Sequence, residues 1–181
     1  LAAHSSQAHL GVNAVTNMGR FLHAVDQRAP AVQADGGDLM VTVARGGTSP
    51  FVVPDAAECY VELRTVPDGR GSSIAGEIES LLDPQWRTTS ALVSARDGWR
   101  IDPTGPAALL AERLGERLGT GTTFDAPYWM EAPLWQAVCP TVICGPSGGG
   151  LHAIDEWVDL AQVDAFTDAL IAVLDDVRKG G

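Results

Sequence analysis

The stretch LMVTVARGGTSPFVVPDAAECYVELRTV, residues 39–66, decides how this chain folds. Two runs within it, 39–45 and 57–66, alternate apolar and polar side chains, the period-two pattern of half-buried β-strands. In the second run Cys59, Val61 and Leu63 face one way and Tyr60, Glu62 and Arg64 the other. Arg64 therefore projects from the face opposite the Cys59 stripe. The intervening GGTSPFVVPD carries the Gly and Pro residues of a turn.

Helical patterns flank this pair of strands. Residues 11–28, GVNAVTNMGRFLHAVDQR, place Val12, Val15, Leu22 and Val25 at helical spacing, with Met18 or Gly19 completing the face and Asn13 positioned as a cap. The PAVQADGGD that follows reads as Pro and Gly punctuation. Residues 71–83 carry Ile74, Ile78, Leu81 and Leu82 on one side of a short helix, and 88–101 read as a further strand. The order helix, strand, strand, helix, strand is that of a ferredoxin-like βαββαβ layer lacking its first strand, since LAAHSSQAHLG at the start shows no strand pattern.

Beyond the linker-like DPTGP at 102–106, residues 107–119 form a helix ended by Gly119. The aromatic segment 126–138 allows a short helix broken at Pro133, and 140–145, PTVICG, reads as a short buried strand. Residues 160–179 form a closing amphipathic helix with Val163, Phe166, Leu170, Val173, Leu174 and Val177 inward. The expected class is α/β in the broad sense, α+β in detail, with domains at 1–98 and 99–181.

Composition narrows the function classes. A formal charge of −11, with Lys179 the single lysine, makes a surface that repels nucleic-acid phosphates and anionic lipid, so neither is an expected partner. No apolar run reaches the length of a membrane span and no signal peptide opens the chain, which points to the cytoplasm. Cys59, Cys139 and Cys144 show no metal or redox spacing and sit in apolar stretches, as buried inert thiols do.

Chemistry concentrates in CPTVICGPSGGGLHAIDEWVDL, residues 139–160, where an apolar run breaks into glycines and then a histidine. A phosphate loop would need G-K-[ST] or G-x-G-x-x-G, and neither is present. Gly145 to Gly149 matches the G-x-S-x-G of a serine nucleophile elbow around Ser147, but an elbow needs a helix after the serine and a later histidine. The third reading is a metal site at His152, for which a lone histidine is weak evidence by itself.

Taken together, AHSSQAHLGVNAV (3–15), GGTSPFVVPDAAECYVELRTVP (46–67), FDA (124–126) and PTVICGPSGGGLHAIDEWVDL (140–160) resemble the zinc amidohydrolases that include acetylornithine deacetylase, succinyl-diaminopimelate desuccinylase and glutamate carboxypeptidases. The resemblance covers most of the chain. It implies that 1–98 is a partial lid and dimerisation domain and that the remainder is the C-terminal part of a catalytic domain. It also implies a homodimer and a small N-acyl amino acid or peptide substrate, with two Zn²⁺ ions, or another divalent metal such as Co²⁺, in the parent enzyme. By the same resemblance His152 is a metal ligand with Glu156 in support. His4 reaches the partner subunit's active site and stabilises the oxyanion. Arg64 binds a substrate carboxylate, while Gly145, Ser147 and Gly148, with the glycines after them, line the substrate pocket through backbone donors. Asp125 is a weaker candidate, and His9 and His23 read as surface residues.

The sequence departs from the family pattern in carrying Ala8 where proline is usual and Phe51 where an asparagine is usual. It also contains no H-x-D, adjacent Glu pair or H-E-x-x-H, so it offers one ligand of a dinuclear site and reads as a fragment that is inactive alone. Two alternatives remain open: a non-catalytic dimerisation or ligand-binding module, and a serine hydrolase using Ser147.

Overall fold

The structure is a computed structural model that describes residues 1–67, 71–96, 98–120, 126 and 128–179, with the backbone alone at 71 and 72. The chain separates into two compact units, Leu1–Gly98 and Trp99–Gly181.

In the first unit a two-residue strand, β1 (Ala3–His4), leads into a 3₁₀ segment, Ser5–Leu10. The helix α1 (Ala14–Ala34) follows, opened by Asn13, whose side-chain Oδ1 accepts the Thr16 amide at 3.0 Å. Then come β2 (Asp38–Gly46), β3 (Val52–Val53), β4 (Ala57–Arg64) and α2 (Gly71–Ser80). β2 and β4 pair antiparallel from Asp38 opposite Arg64 to Gly46 opposite Ala57, with a bulge between Val41 and Val43. The turn between α1 and β2 requires glycine twice. Gly36 has φ +81°, and a Cβ on Gly37 would stand 2.5 Å from the Arg64 carbonyl oxygen.

One face of this sheet is covered. Phe21, Val25 and Val32 of α1, Leu39 of β2, and Ile74 and Ile78 of α2 form the core, with Cys59, Val61 and Leu63 packed against it as the alternation requires. The opposite face presents Met40, Tyr60, Glu62 and Arg64. β1 pairs with β3, His4 opposite Val52, so the start of the chain does contribute a strand despite its polar composition.

The second unit is mainly helical. Asp102 orders the turn before α3 (Pro106–Leu118) by accepting the Thr104 amide and hydroxyl, both at 2.9 Å. Gly119, in the left-handed conformation at φ 68°, ends that helix. A short helix, α4 (Ala132–Gln136), precedes a hairpin of β5 (Gly148–Gly149) and β6 (Trp157–Val158), and α5 (Leu160–Arg178) closes the chain. Leu114, Ala169 and Val173 are the buried contact of α3 with α5.

Several expectations are corrected. α1 runs through Pro30 to Ala34 instead of stopping at the punctuation, because Val32 is buried in the core and holds the last turns. Residues 88–101 form no strand among those described, and Leu92 and Val93 are exposed, so their apolar character has no sheet face to join. Residues 140–145 likewise form no strand, and Cys139 and Cys144 are exposed instead of buried. Pro133 sits in the first turn of α4, where its missing N–H costs nothing, and does not break it. In α5 Val173 is buried as expected and Ala169 is buried with it, while Leu174 and Val177 are exposed, since α3 covers only one side of that helix.

Candidate functional site

His4 and Arg64 lie in the first unit, and Gly145, Ser147, Gly148, His152 and Glu156 in the second. His4 is exposed at the junction of β1 and the 3₁₀ segment, where its extended backbone (φ −64°, ψ 140°) makes it the N-cap. Its Nδ1 accepts the Ser6 amide at 3.2 Å and lies 2.8 Å from Ser6 Oγ. The His4–Val52 pairing and the Ser5 amide, which donates to the Phe51 carbonyl at 2.9 Å, hold the backbone beneath it. The Phe51 side chain itself is exposed.

Arg64 ends β4 on the open face, as its place in the alternation requires, and pairs with Glu62 two residues earlier at 2.7 Å. A substrate carboxylate taking this guanidinium would compete with Glu62. The same alternation that places Arg64 puts Glu62 on its face, which brings the competitor beside it.

The glycine turn is neither an elbow nor a phosphate loop. Ser147 leads into β5, not into a helix, and no hydrogen bond joins its hydroxyl to a histidine or carboxylate among the described residues. Its backbone amide donates to Gln162 Oε1 at 3.0 Å, and its carbonyl accepts the Asp159 amide at 3.0 Å. A substrate taking the Ser147 N–H, as the sequence reading expects, would have to displace Gln162. Gly148 is required by the hairpin itself, because a Cβ would stand 2.5 Å from the Trp157 carbonyl oxygen, and a Cβ on Gly149 would stand 2.9 Å from Nε1 of the exposed Trp157 indole, which would have to move. Around Gly145 there is open space.

The tip of the hairpin turns through Gly150 at φ 70° and His152 at φ 62°, with the Ala153 amide donating to the Gly150 carbonyl at 2.8 Å. His152 is the one non-glycine residue with positive φ among those described, and both it and Glu156 are exposed. The described residues contain no group of three or more His, Cys, Asp or Glu able to hold a metal ion. His152 can offer one imidazole, but these residues do not by themselves make a zinc centre. Phe124 and Asp125 lie outside the described residues.

Sequence reasoning missed Gln162 and Ser6. Asp159 caps α5 by accepting the Ala161 amide at 2.9 Å and the Gln162 amide at 3.4 Å, and Asp-x-x-Gln is the spacing of a capping box. That spacing was the available signal. In the structure the box is opened by the hairpin strand: Ser147 stands between the glutamine and the cap backbone and bonds to both. Burial pushes the thiol of the half-buried Cys59 up, which makes it a poor nucleophile.

Residues 1–89 match the family model described as the peptidase dimerisation domain. A Mycobacterium tuberculosis protein named as a succinyl-diaminopimelate desuccinylase, DapE, is 31% identical over 180 residues, covering 93% of this chain and 48% of its own length. An acetylornithine deacetylase of Vibrio vulnificus is 25% identical over 186 residues, with the same two shares. The crystal structure of aminopeptidase PepT from Bacillus cereus superimposes with a TM-score of 0.71 at 16% identity, and that of a Staphylococcus aureus tripeptidase with 0.75 at 15%. Each covers 98% of this chain and 49% of the other. At those identities the likeness is one of fold. The chain spans about half the length of the curated relatives it matches.

Proposed function

We propose, from the match of residues 1–89 to the peptidase dimerisation domain, that this chain is the dimerisation lid and the C-terminal catalytic portion of a metal-dependent hydrolase. Its substrates are N-acyl amino acids or small peptides, and it cleaves their amide bond. The observation that carries the reading is alignment along 93% of the chain with relatives named as a desuccinylase and a deacetylase.

In that reading the lid serves a homodimer. His4 donates a hydrogen bond to the oxyanion that forms as the amide carbon becomes tetrahedral, the place where a preorganised donor has most effect. Arg64 holds the substrate carboxylate with its planar fork, exchanging Glu62 for the ligand. His152 contributes one imidazole toward zinc, supported by Glu156, and the remaining ligands come from outside the described residues. With one such imidazole of its own, the isolated chain does not hydrolyse these substrates by itself.

The test has two parts. Analytical ultracentrifugation of the purified chain gives a dimer, and N-acetyl and N-succinyl amino acids and tripeptides are not turned over with zinc or cobalt added. A monomer at all concentrations sinks the lid assignment. Hydrolysis by the isolated chain, abolished in His152→Ala, would show that a complete metal site forms without further residues.

A further inference from the structure

We infer that Ser6 is a positioning residue that fixes His4 as the Nε2–H tautomer, so that the ring meets its target as a neutral hydrogen-bond donor and not as a base. The inference rests on the reading of His4 as the oxyanion-stabilising group, and it specifies how that group is prepared.

The argument uses only donor and acceptor chemistry. A backbone N–H can only donate, and the Ser6 amide points at His4 Nδ1 from 3.2 Å. A ring nitrogen that accepts carries no proton, and a neutral imidazole has a single one, which is therefore on Nε2. The Ser6 hydroxyl, 2.8 Å from the same nitrogen, can donate to it once that nitrogen is unprotonated, and by itself selects neither tautomer. Nε2 makes no hydrogen bond among the described residues. The geometry is not a loose rotamer preference. His4 is tied by its pairing with Val52, Ser5 by its bond to the Phe51 carbonyl, and the 3₁₀ segment then brings the Ser6 amide beneath the ring.

An Nε2–H group suits an acceptor oxygen: a carbonyl becoming an oxyanion, or a carboxylate. It cannot take a proton from water through that nitrogen. His4 is thereby assigned to electrostatic stabilisation and excluded from general-base work while Ser6 holds the ring.

The experiment is long-range ¹H–¹⁵N correlation spectroscopy of the ¹⁵N-labelled chain in alkaline buffer. The His4 ring is identified by its disappearance in His4→Asn. Expected are an Nδ1 resonance at the limiting unprotonated position and an Nε2 resonance at the limiting protonated one. Tautomer-averaged positions, or a protonated Nδ1, overturn the inference. Amide exchange supplies a second readout: in His4→Ala the Ser6 amide should exchange about fivefold faster, the loss of one capping hydrogen bond. An unchanged Ser6 rate removes Ser6 from the assignment. Neither measurement depends on hydrolysis, so the tautomer and the catalytic role of His4 can fail separately.

Discussion

At the scale of single residues, His152 is held where a side chain is strained. Its φ of 62° lies in the left-handed region, which costs a residue with a Cβ about 1 kcal/mol or more. Strain kept at a residue of chemical interest is itself a functional signal, because a surface loop has easier ways to turn. His152→Gly should therefore raise the stability of the second unit, by about 0.5–1 kcal/mol after glycine's own entropy cost, as read from a urea midpoint. A lower midpoint would mean that the imidazole makes a contact worth more than the strain. The sequence offered His152 as a ligand but gave no sign of this conformation, since the flanking glycines were the obvious bearers of positive φ. Asp102 illustrates the opposite case of a residue whose protonation the fold controls. The backbone amide of Thr104 first, then its hydroxyl, lowers the Asp102 pKa. A depressed folded-state value means stabilisation that is present above the ordinary carboxylate range and lost as pH falls through the lowered one. Wild type should therefore exceed Asp102→Ala in thermal midpoint at neutral pH, and the gap should close on acidification below that range. A gap independent of pH would refute the linkage.

Among the elements, the helices were legible to the extent that their ends carry chemistry. Asn13 caps α1 where its spacing placed it, and Asn13→Ala should cost about 1 kcal/mol by chemical denaturation. A change below a few tenths would show that the β3 side supplies the cap instead, through the Ala14 amide bonded to the Pro54 carbonyl. The far end of α1 was not legible, because Pro30 is a local veto that burial of Val32 overrides. For β5 and β6 the local pattern was silent altogether: a two-residue pairing of glycines has no alternation to read. What fixes it is the clasp of Ser147 between Gln162 and Asp159. Gln162→Ala should free the Ser147 amide, raising its hydrogen-exchange rate roughly tenfold for a lost bond of about 1–1.5 kcal/mol, while the interior amides of α5 keep theirs. An unaltered Ser147 rate would mean that the clasp does not form in solution.

Across the whole molecule the two units differ in how much of each was written locally. In the first, alternation and helical spacing agree with the core that forms, since Cys59, Val61 and Leu63 face the helices and Arg64 does not. In the second, apolar content misled. Ile143 and Cys144 in the first of its apolar runs, and Leu174 and Val177 of α5, are apolar enough for a core yet are exposed. The part of this unit that is packed is narrow, and Val173, fully buried against α3, stands at its centre. Val173→Ala should cost about 2 kcal/mol, a large share of what so small a core provides, with the first unit's melting unaffected. The exposed ion pair of Arg117 with Asp176, which also links α3 to α5, should contribute under about 1 kcal/mol by double-mutant cycle.

The antiparallel pairing of β2 with β4 spans only the short turn that begins after Gly46, whereas α3 and α5 meet from distant points in the chain. Closing the longer loop costs more chain entropy before any contact rewards it, so the two units should not acquire structure together. During refolding the sheet and its helices form early, and α5 must find α3 afterwards. The late half is the vulnerable interval in the life of this chain, when Leu114 and Val173 are both still exposed to solvent and available to the wrong neighbour.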